Sequence, residues 1–182
     1  MDGRRLIKVS KYLSRHLRHQ PDRLGLQLSP GGWVDVADLL AACNGRGFAL
    51  TRDELTEVVA RNDKSRFSFD ASGDRIRANQ GHTVPVDLQL PPAQPPQVLF
   101  HGTGEGSVPA ILREGLRPRG RHAVHLSGDV DTARRVGARH GRPAVLTVRA
   151  GALAAAGARF TVSANGVWLV DHVPAAYLDV LP

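Results

Sequence analysis

Four clusters of residues in this 182-residue chain have the types and spacing to handle an anionic ligand. In the first, Arg18 and His19 follow Arg15 at the end of a segment with helical apolar spacing, just before Pro21. A guanidinium offers a planar fork to phosphate oxygens and an imidazole titrates near neutrality, so the pair reads as an anion clamp beside a proton donor. The same cations also suit the outward-pointing carbonyls at a helix C-terminus, which is a purely structural use. In the second cluster, Asn62-Asp63-Lys64-Ser65-Arg66-Phe67, Lys64 and Arg66 could hold a nucleic-acid backbone or simply make a polar turn. Gln80-Gly81-His82-Thr83 carries less by itself. The third, His101-Gly102-Thr103, follows apolar Val98-Leu99-Phe100. Glycine there would let a ligand approach the backbone, and the flanking imidazole and hydroxyl can bond ribose or amide groups. In the fourth, Arg121-His122-Ala123-Val124-His125-Leu126-Ser127, strand alternation puts Arg121 and His125 on one face, pointing into one cleft.

Other chemistries lack their residues. His101, His122, His125 and His140 have neither HExxH nor finger spacing, and no CxxC pair accompanies the single Cys43, so no metal is expected. GxGxxG, GxxxxGK[ST] and GxSxG are absent, which disfavours the common nucleotide loops and a serine hydrolase. The glutamates are Glu54, Glu57, Glu105 and Glu114, leaving none in the last third of the chain. Lys and Arg total 24 against 17 Asp and Glu, a formal charge of +7, and only Lys8, Lys11 and Lys64 are lysines. A positive, arginine-rich surface attracts polyanions. No apolar run approaches the roughly 20 residues of a membrane span, and Met1-Asp2-Gly3-Arg4-Arg5 is no signal peptide. A soluble, cytoplasmic protein with no membrane partner is expected, monomeric by default.

These clusters need elements to position them. Leu6, Val9, Leu13 and Leu17 predict a first helix, stopped by Pro21. Trp33-Val34 reads as a short strand before a helix containing Leu39-Leu40-Ala41-Ala42, and Thr51-Arg52-Asp53-Glu54 as a capping box opening a third helix. Phe67 and Phe69, a turn at Ser72-Gly73-Asp74, and Ile76 then predict a hairpin, and three helices with a hairpin make a winged-helix layout. Prolines 85, 91, 92, 95 and 96 make 84–97 an extended tether between a lobe over 1–83 and a lobe over 98–182. The second lobe reads as strands from Val98, over Ala123 to Leu126, Ala144 to Val148, Phe160 to Val162, Val167 to Val170 and Leu178 to Val180. Helices are expected around Val108 to Arg113, Asp129 to about Arg139, and Ala152 to Ala156. Many short strands with few helices suggest an α+β lobe around a small split sheet.

Taken in order, Ser10-Lys11-Tyr12-Leu13 with Leu17-Arg18-His19, Gly32-Trp33-Val34, Asp63 to Phe67, Ile76 to His82, Phe100 to Thr103, Arg121 to Ser127 and Asn165-Gly166-Val167-Trp168-Leu169 resemble the RNA 2′-phosphotransferases of the KptA family. The resemblance implies an α+β protein with an N-terminal winged-helix lobe and a C-terminal ADP-ribosyltransferase-like split-sheet lobe, with NAD⁺ bound between them and consumed as co-substrate. It implies removal of an internal 2′-phosphate from RNA through an ADP-ribosylated RNA, giving 2′-OH RNA, nicotinamide and ADP-ribose 1″,2″-cyclic phosphate, a step of tRNA processing in eukaryotic members. Arg18, His19, Arg66 and Arg121 match the family's catalytic set. His101, Gly102, Thr103, His125, Ser127 and Val167 are the expected NAD-binding residues, and Lys64, Gln80 and His82 the expected contacts to RNA. The stretch Val170 to Ala176 departs from the usual pattern, which touches only the last strands. Two other readings remain: a transferase that leaves ADP-ribose on a nucleic-acid phosphate, and a winged-helix binder with an inert second lobe. Release of nicotinamide separates the binder from the enzymes, and the cyclic phosphate separates the two enzymes.

Overall fold

A computed structural model describes residues 1–182, and the chain divides into two units, Met1–Leu90 and Pro91–Pro182. Each unit has its own apolar core.

In the first unit, α1 (Gly3–Arg18) starts where the Asp2 carboxylate accepts from Arg5 N at 2.7 Å. A cap of this kind contributes about 1 kcal/mol. Val9, Leu13 and Leu17, at four-residue spacing, are fully buried. The helix closes with His19 N donating to Arg15 O, and Pro21 opens a short 3₁₀ turn. Next come β1 (Val34–Asp35), α2 (Val36–Gly45) and α3 (Arg52–Arg61), the last opened by the Thr51/Glu54 capping box. The hairpin is β2 (Phe67–Phe69) and β3 (Arg75–Ala78), and the antiparallel sheet runs β1-β3-β2, with Val34 opposite Ile76 and Phe67 opposite Ala78. Phe67, Ile76 and Ala78 turn inward onto the helices. Cys43 of α2 lies in this core, and burial pushes its thiol up to about 11.

The proline-rich stretch forms no helix or strand, as its missing amides dictate, yet most of it is fastened down. Gly31 N donates to Asp87 O, and Arg77 Nη1 donates to the carbonyls of Gly31 and Leu88, each at 3.1 Å. Residues 84–90 therefore belong with the first unit. Ala93 N donates to Phe160 O, and Gln97 O accepts from Gly151 N, which ties those residues to the second.

The second unit holds β4 (Leu99–Gly104), α4 (Val108–Glu114), β5 (Val124–Leu126), α5 (Val130–Gly137), β6 (Pro143–Val148), α6 (Ala150–Ala155), β7 (Thr161–Val162), β8 (Trp168–Val170) and β9 (Leu178–Val180). They form two three-stranded antiparallel sheets, β4-β6-β9 and β5-β8-β7. The sheets meet at one bridge, where Phe100 and Ser127 exchange backbone hydrogen bonds of 2.9 and 2.7 Å. Asp129 caps α5 by accepting from Thr132 N, and the helix packs across β4 and β6. That packing is unusually close. A Cβ at Gly102 would lie 1.7 Å from the Ala133 carbonyl oxygen, and one at Gly137 would lie 2.7 Å from the Thr103 carbonyl oxygen.

No helix is long and apolar enough to cross a membrane.

Candidate functional site

In the first unit the candidate residues gather where the end of α1 meets the chain leaving β3. Arg18 is the last residue of α1 and is half-buried, while His19 is exposed. Thr83 binds both ends of this pair: its amide donates to Arg18 O at 2.9 Å, and its hydroxyl lies 2.9 Å from His19 Nδ1. Gly81 makes the turn possible. It has φ +88°, and a Cβ there would stand 3.7 Å from Arg18 Nη1. Gln80 is half-buried beside it. His82 is buried, with its ring next to Gly32, a position suited to supporting the loop rather than touching a ligand.

The turn after α3 delivers Lys64 and Arg66. Asn62 ends the helix with its side chain buried, where its Nδ2 donates to Ser10 Oγ of α1 at 2.9 Å. Its Oδ1 accepts from Lys64 N at 3.1 Å and from Arg66 Nη1 at 2.9 Å. Ser65 is left-handed at φ +40°, a conformation costing a non-glycine residue about 1 kcal/mol or more. Two bonds hold it there: Ser65 N donates to Asn62 O at 2.8 Å, and buried Asn79 donates from Nδ2 to Ser65 O at 2.6 Å. Asn79 N also donates to Arg66 O. The strand exit over Asn79 to Thr83 thus braces the Arg66 turn at one end and Arg18-His19 at the other. Lys64 itself is exposed.

In the second unit the candidates line the place where the two sheets part. Beyond the Phe100–Ser127 bridge, β4 and β5 diverge, and His101 Nδ1 sits 3.1 Å from His125 O. A carbonyl only accepts, so Nδ1 carries the proton and Nε2 of the neutral ring keeps a lone pair. Desolvation holds His101 below the usual histidine range; the His125 carbonyl opposes this, while His140 and Arg119 add to it. The ring is therefore neutral at pH 7 and presents an acceptor. Arg121 Nη1 lies 2.9 Å from His125 Nδ1. Guanidinium only donates, so the His125 nitrogen accepts. Arg121 is exposed along most of its length, but desolvation of its head, with Arg139 nearby, lowers its pKa from the ordinary arginine value. Continuing the β5–β8 register, Leu126 opposite Trp168, sets Ser127 opposite Val167. Both are half-buried, and Val167 is fixed by backbone and hydroxyl bonds to Ser163.

Arg121 and His125 do come together, but not through one strand. The strand begins only at Val124, and Arg121 reaches back from the preceding loop. The space at Gly102 is filled by α5, so its missing side chain admits a helix backbone rather than a ligand. Thr103 is buried behind the same contact. Asn62, Asn79 and Thr83 hold the site residues without having been read from the sequence as doing so. The available signal was positional: a polar amide immediately after a helical run, and another leaving a buried strand. A cavity of about 450 Å³ in this unit is lined by Glu105, Pro109, Arg134, Pro143 and the 180–182 segment among others and contains none of the candidate residues. No group of three or more His, Cys, Asp or Glu is arranged to hold a metal ion.

A family model described as RNA 2′-phosphotransferase, Tpt1 / KptA family, matches residues 4–172. The chain is 56% identical over 181 residues to a probable RNA 2′-phosphotransferase of Trichormus variabilis, spanning 100% of both proteins. It is 61% identical over 185 residues to one from Streptomyces griseus, covering 98% of each. A third, from Herpetosiphon aurantiacus, is 57% identical over 178 residues, again with 98% of each covered.

Proposed function

The chain belongs to the RNA 2′-phosphotransferase family, transferases that remove a 2′-phosphate from RNA, and from that premise we propose that it takes an internal 2′-phosphate with NAD⁺ as consumed co-substrate. In the first step a 2′-phosphate oxygen attacks C1″ of the nicotinamide ribose; the C1″–N bond breaks, and nicotinamide leaves with the electron pair. In the second the 2″-hydroxyl attacks phosphorus and the bond to the RNA 2′-oxygen breaks. The hydroxyl proton ends on that oxygen, giving 2′-OH RNA and ADP-ribose 1″,2″-cyclic phosphate. A phosphate monoester has its second pKa near ~6, so at pH 7 the nucleophile needs no strong base.

The observation that carries this reading is the place where β4 and β5 part, where neutral His101 offers a lone pair, with an aliphatic residue, Val167, just before β8, the strand paired with β5. An acceptor nitrogen suits a ribose hydroxyl. A carboxylate in that place would repel a dianionic nucleophile, and the position holds valine. In this reading His101, His125, Ser127 and Val167 form the dinucleotide's binding surface, and Gly102 and Thr103 support it from behind through close packing on α5. Arg18, Arg66 and Arg121 serve the phosphoryl group, where preorganised guanidiniums offset charge developing in the second step. His19, oriented by Thr83, moves the proton. Lys64 holds a neighbouring phosphate, and Gln80 and His82 shape the loop that RNA meets.

The helix–strand–helix–helix–hairpin order with sheet order β1-β3-β2 supports a winged-helix first unit. The two bridged three-stranded sheets support an ADP-ribosyltransferase-like second unit. Incubation of the protein with NAD⁺ and an internally 2′-phosphorylated oligoribonucleotide tests the function. Nicotinamide and the cyclic phosphate should appear in equal amounts; a persistent ADP-ribosyl adduct without cyclic phosphate refutes the second step, and no nicotinamide at all refutes NAD⁺ use.

A further inference from the structure

Helix α1 does more than deliver Arg18. Its residues Arg4, Lys8, Lys11, Arg15 and Arg18 recur at spacings of four, three, four and three. At 3.6 residues per turn these positions fall on one face, running roughly 21 Å along the axis. The face is diametrically opposite the one that buries Val9, Leu13 and Leu17, and Arg4, Lys8, Lys11 and Arg15 are all exposed. A surface face must be polar, but nothing requires it to be of one sign. Helix α1 contains neither Asp nor Glu, the one carboxylate at its start is the capping Asp2, and none of these four cations enters an ion pair. Arg5, turned to the side, is the one that pairs with Glu54. Each neighbouring pair along the stripe, Arg4 with Lys8, Lys8 with Lys11 and Lys11 with Arg15, is a like-charge contact that destabilises the helix. Cations in the first turn oppose the dipole as well. The arrangement works against folding, so an external polyanion is its natural counterpart.

We propose that this stripe is a track for the RNA strand flanking the 2′-phosphate, leading its backbone toward Arg18 and His19 at the end of the helix. The proposal rests on the RNA 2′-phosphotransferase reading for the identity of the polyanion. Charge complementarity and continuity with the Arg18-His19 cluster select a single strand as occupant, and contacts of this kind position a backbone without reading its sequence. Arg15 is partly committed, donating from Nε to Gln20 Oε1 at 2.9 Å, and Lys8 leans over the Phe48 ring at 5.9 Å, so Arg4 and Lys11 are the most open members.

The test is equilibrium binding by fluorescence anisotropy, without NAD⁺, of a single-stranded 12-mer carrying one central 2′-phosphate, the same 12-mer without it, and a 2′-phosphorylated trimer. The variant is Arg4→Gln/Lys8→Gln/Lys11→Gln, with Lys8→Gln/Lys11→Gln as a milder second. Removing three backbone contacts should flatten the slope of log affinity against log salt by about 2 for the 12-mer. At low salt the triple variant should bind both 12-mers at least tenfold more weakly, and the trimer within twofold of wild type. Both variants should melt no lower than wild type, since like-charge contacts are relieved. An unchanged 12-mer slope overturns the track. So does an equal loss in Arg113→Gln/Arg142→Gln, which removes exposed charge from the second unit, or a loss confined to RNA bearing the 2′-phosphate. Absence of turnover by the wild type would refute the phosphotransferase reading by itself, leaving the binding comparison intact.

Discussion

Replacing Asn62 by alanine would remove one acceptor shared by Lys64 N and Arg66 Nη1, together with the donor to Ser10 Oγ. A neutral hydrogen bond contributes about 1 kcal/mol net and one to a charged group about 1.5–3. Lys64 is exposed and Arg66 half-buried, so water replaces much of what those two lose, whereas Ser10 is buried. A net loss of about 2 kcal/mol follows, a fall in Tm of roughly 4–8 °C for a chain of this size. The effect on chemistry should be selective. With its anchor gone, the Arg66 guanidinium would no longer be preorganised, and the step that builds charge at phosphorus would suffer more than displacement of nicotinamide. Deleting a donor at a developing oxyanion costs on the order of 10²–10³ in rate; loosening one should cost about tenfold. Rapid-quench analysis of end-labelled 2′-phosphorylated RNA with NAD⁺ would resolve the two steps, and ADP-ribosylated RNA should accumulate in Asn62→Ala. Asn62→Asp keeps the acceptor and should restore wild-type partitioning. If Asn62→Ala melts lower but partitions intermediate and product as the wild type does, Asn62 is a structural residue and this account of Arg66 fails. If Asn62→Asp behaves like alanine, the acceptor is not what matters.

Gly102→Ala should abolish folding of the second unit or destabilise it by about 3 kcal/mol or more, because the new methyl meets the Ala133 carbonyl oxygen at 1.7 Å and α5 has nowhere to go. Gly106→Ala, with nothing within 4 Å, should be neutral; thermal melting of the pair checks both. His101 makes stability depend on pH: desolvation lowers its folded pKa, so its neutral form supports folding above the unfolded value near ~6.5, and that support is lost as pH falls through the folded value. His101→Asn should flatten the decline of Tm between pH 7 and 5, and an identical slope in both proteins would refute the assignment.

Local signals were fully legible in the sequence because they depend on neighbours only. The Thr51/Glu54 capping box and the Phe67/Phe69 alternation form as their spacing dictates. What escaped depends on distant contacts. Gly102 looked like room for a ligand because the sequence does not say that α5 crosses β4 there. Arg121 meets His125 from a loop, since the strand starts three residues later than alternation requires. The stretch around Asp87 and Leu88 read as a free tether, because the grip of Arg77 on it is long-range. What holds the candidate site residues was not legible: Asn62 and Asn79 act through partners on other elements.

The burial of Cys43 has a practical corollary. The only sulfhydryl in the chain is sealed in the core and far from ionised at neutral pH, so alkylating reagents and mild oxidants should pass the native protein by. A cysteine installed at solvent-facing Ile7, which is 56% exposed on α1, would become the sole handle for a fluorophore or crosslinker, with no need to engineer the natural one away.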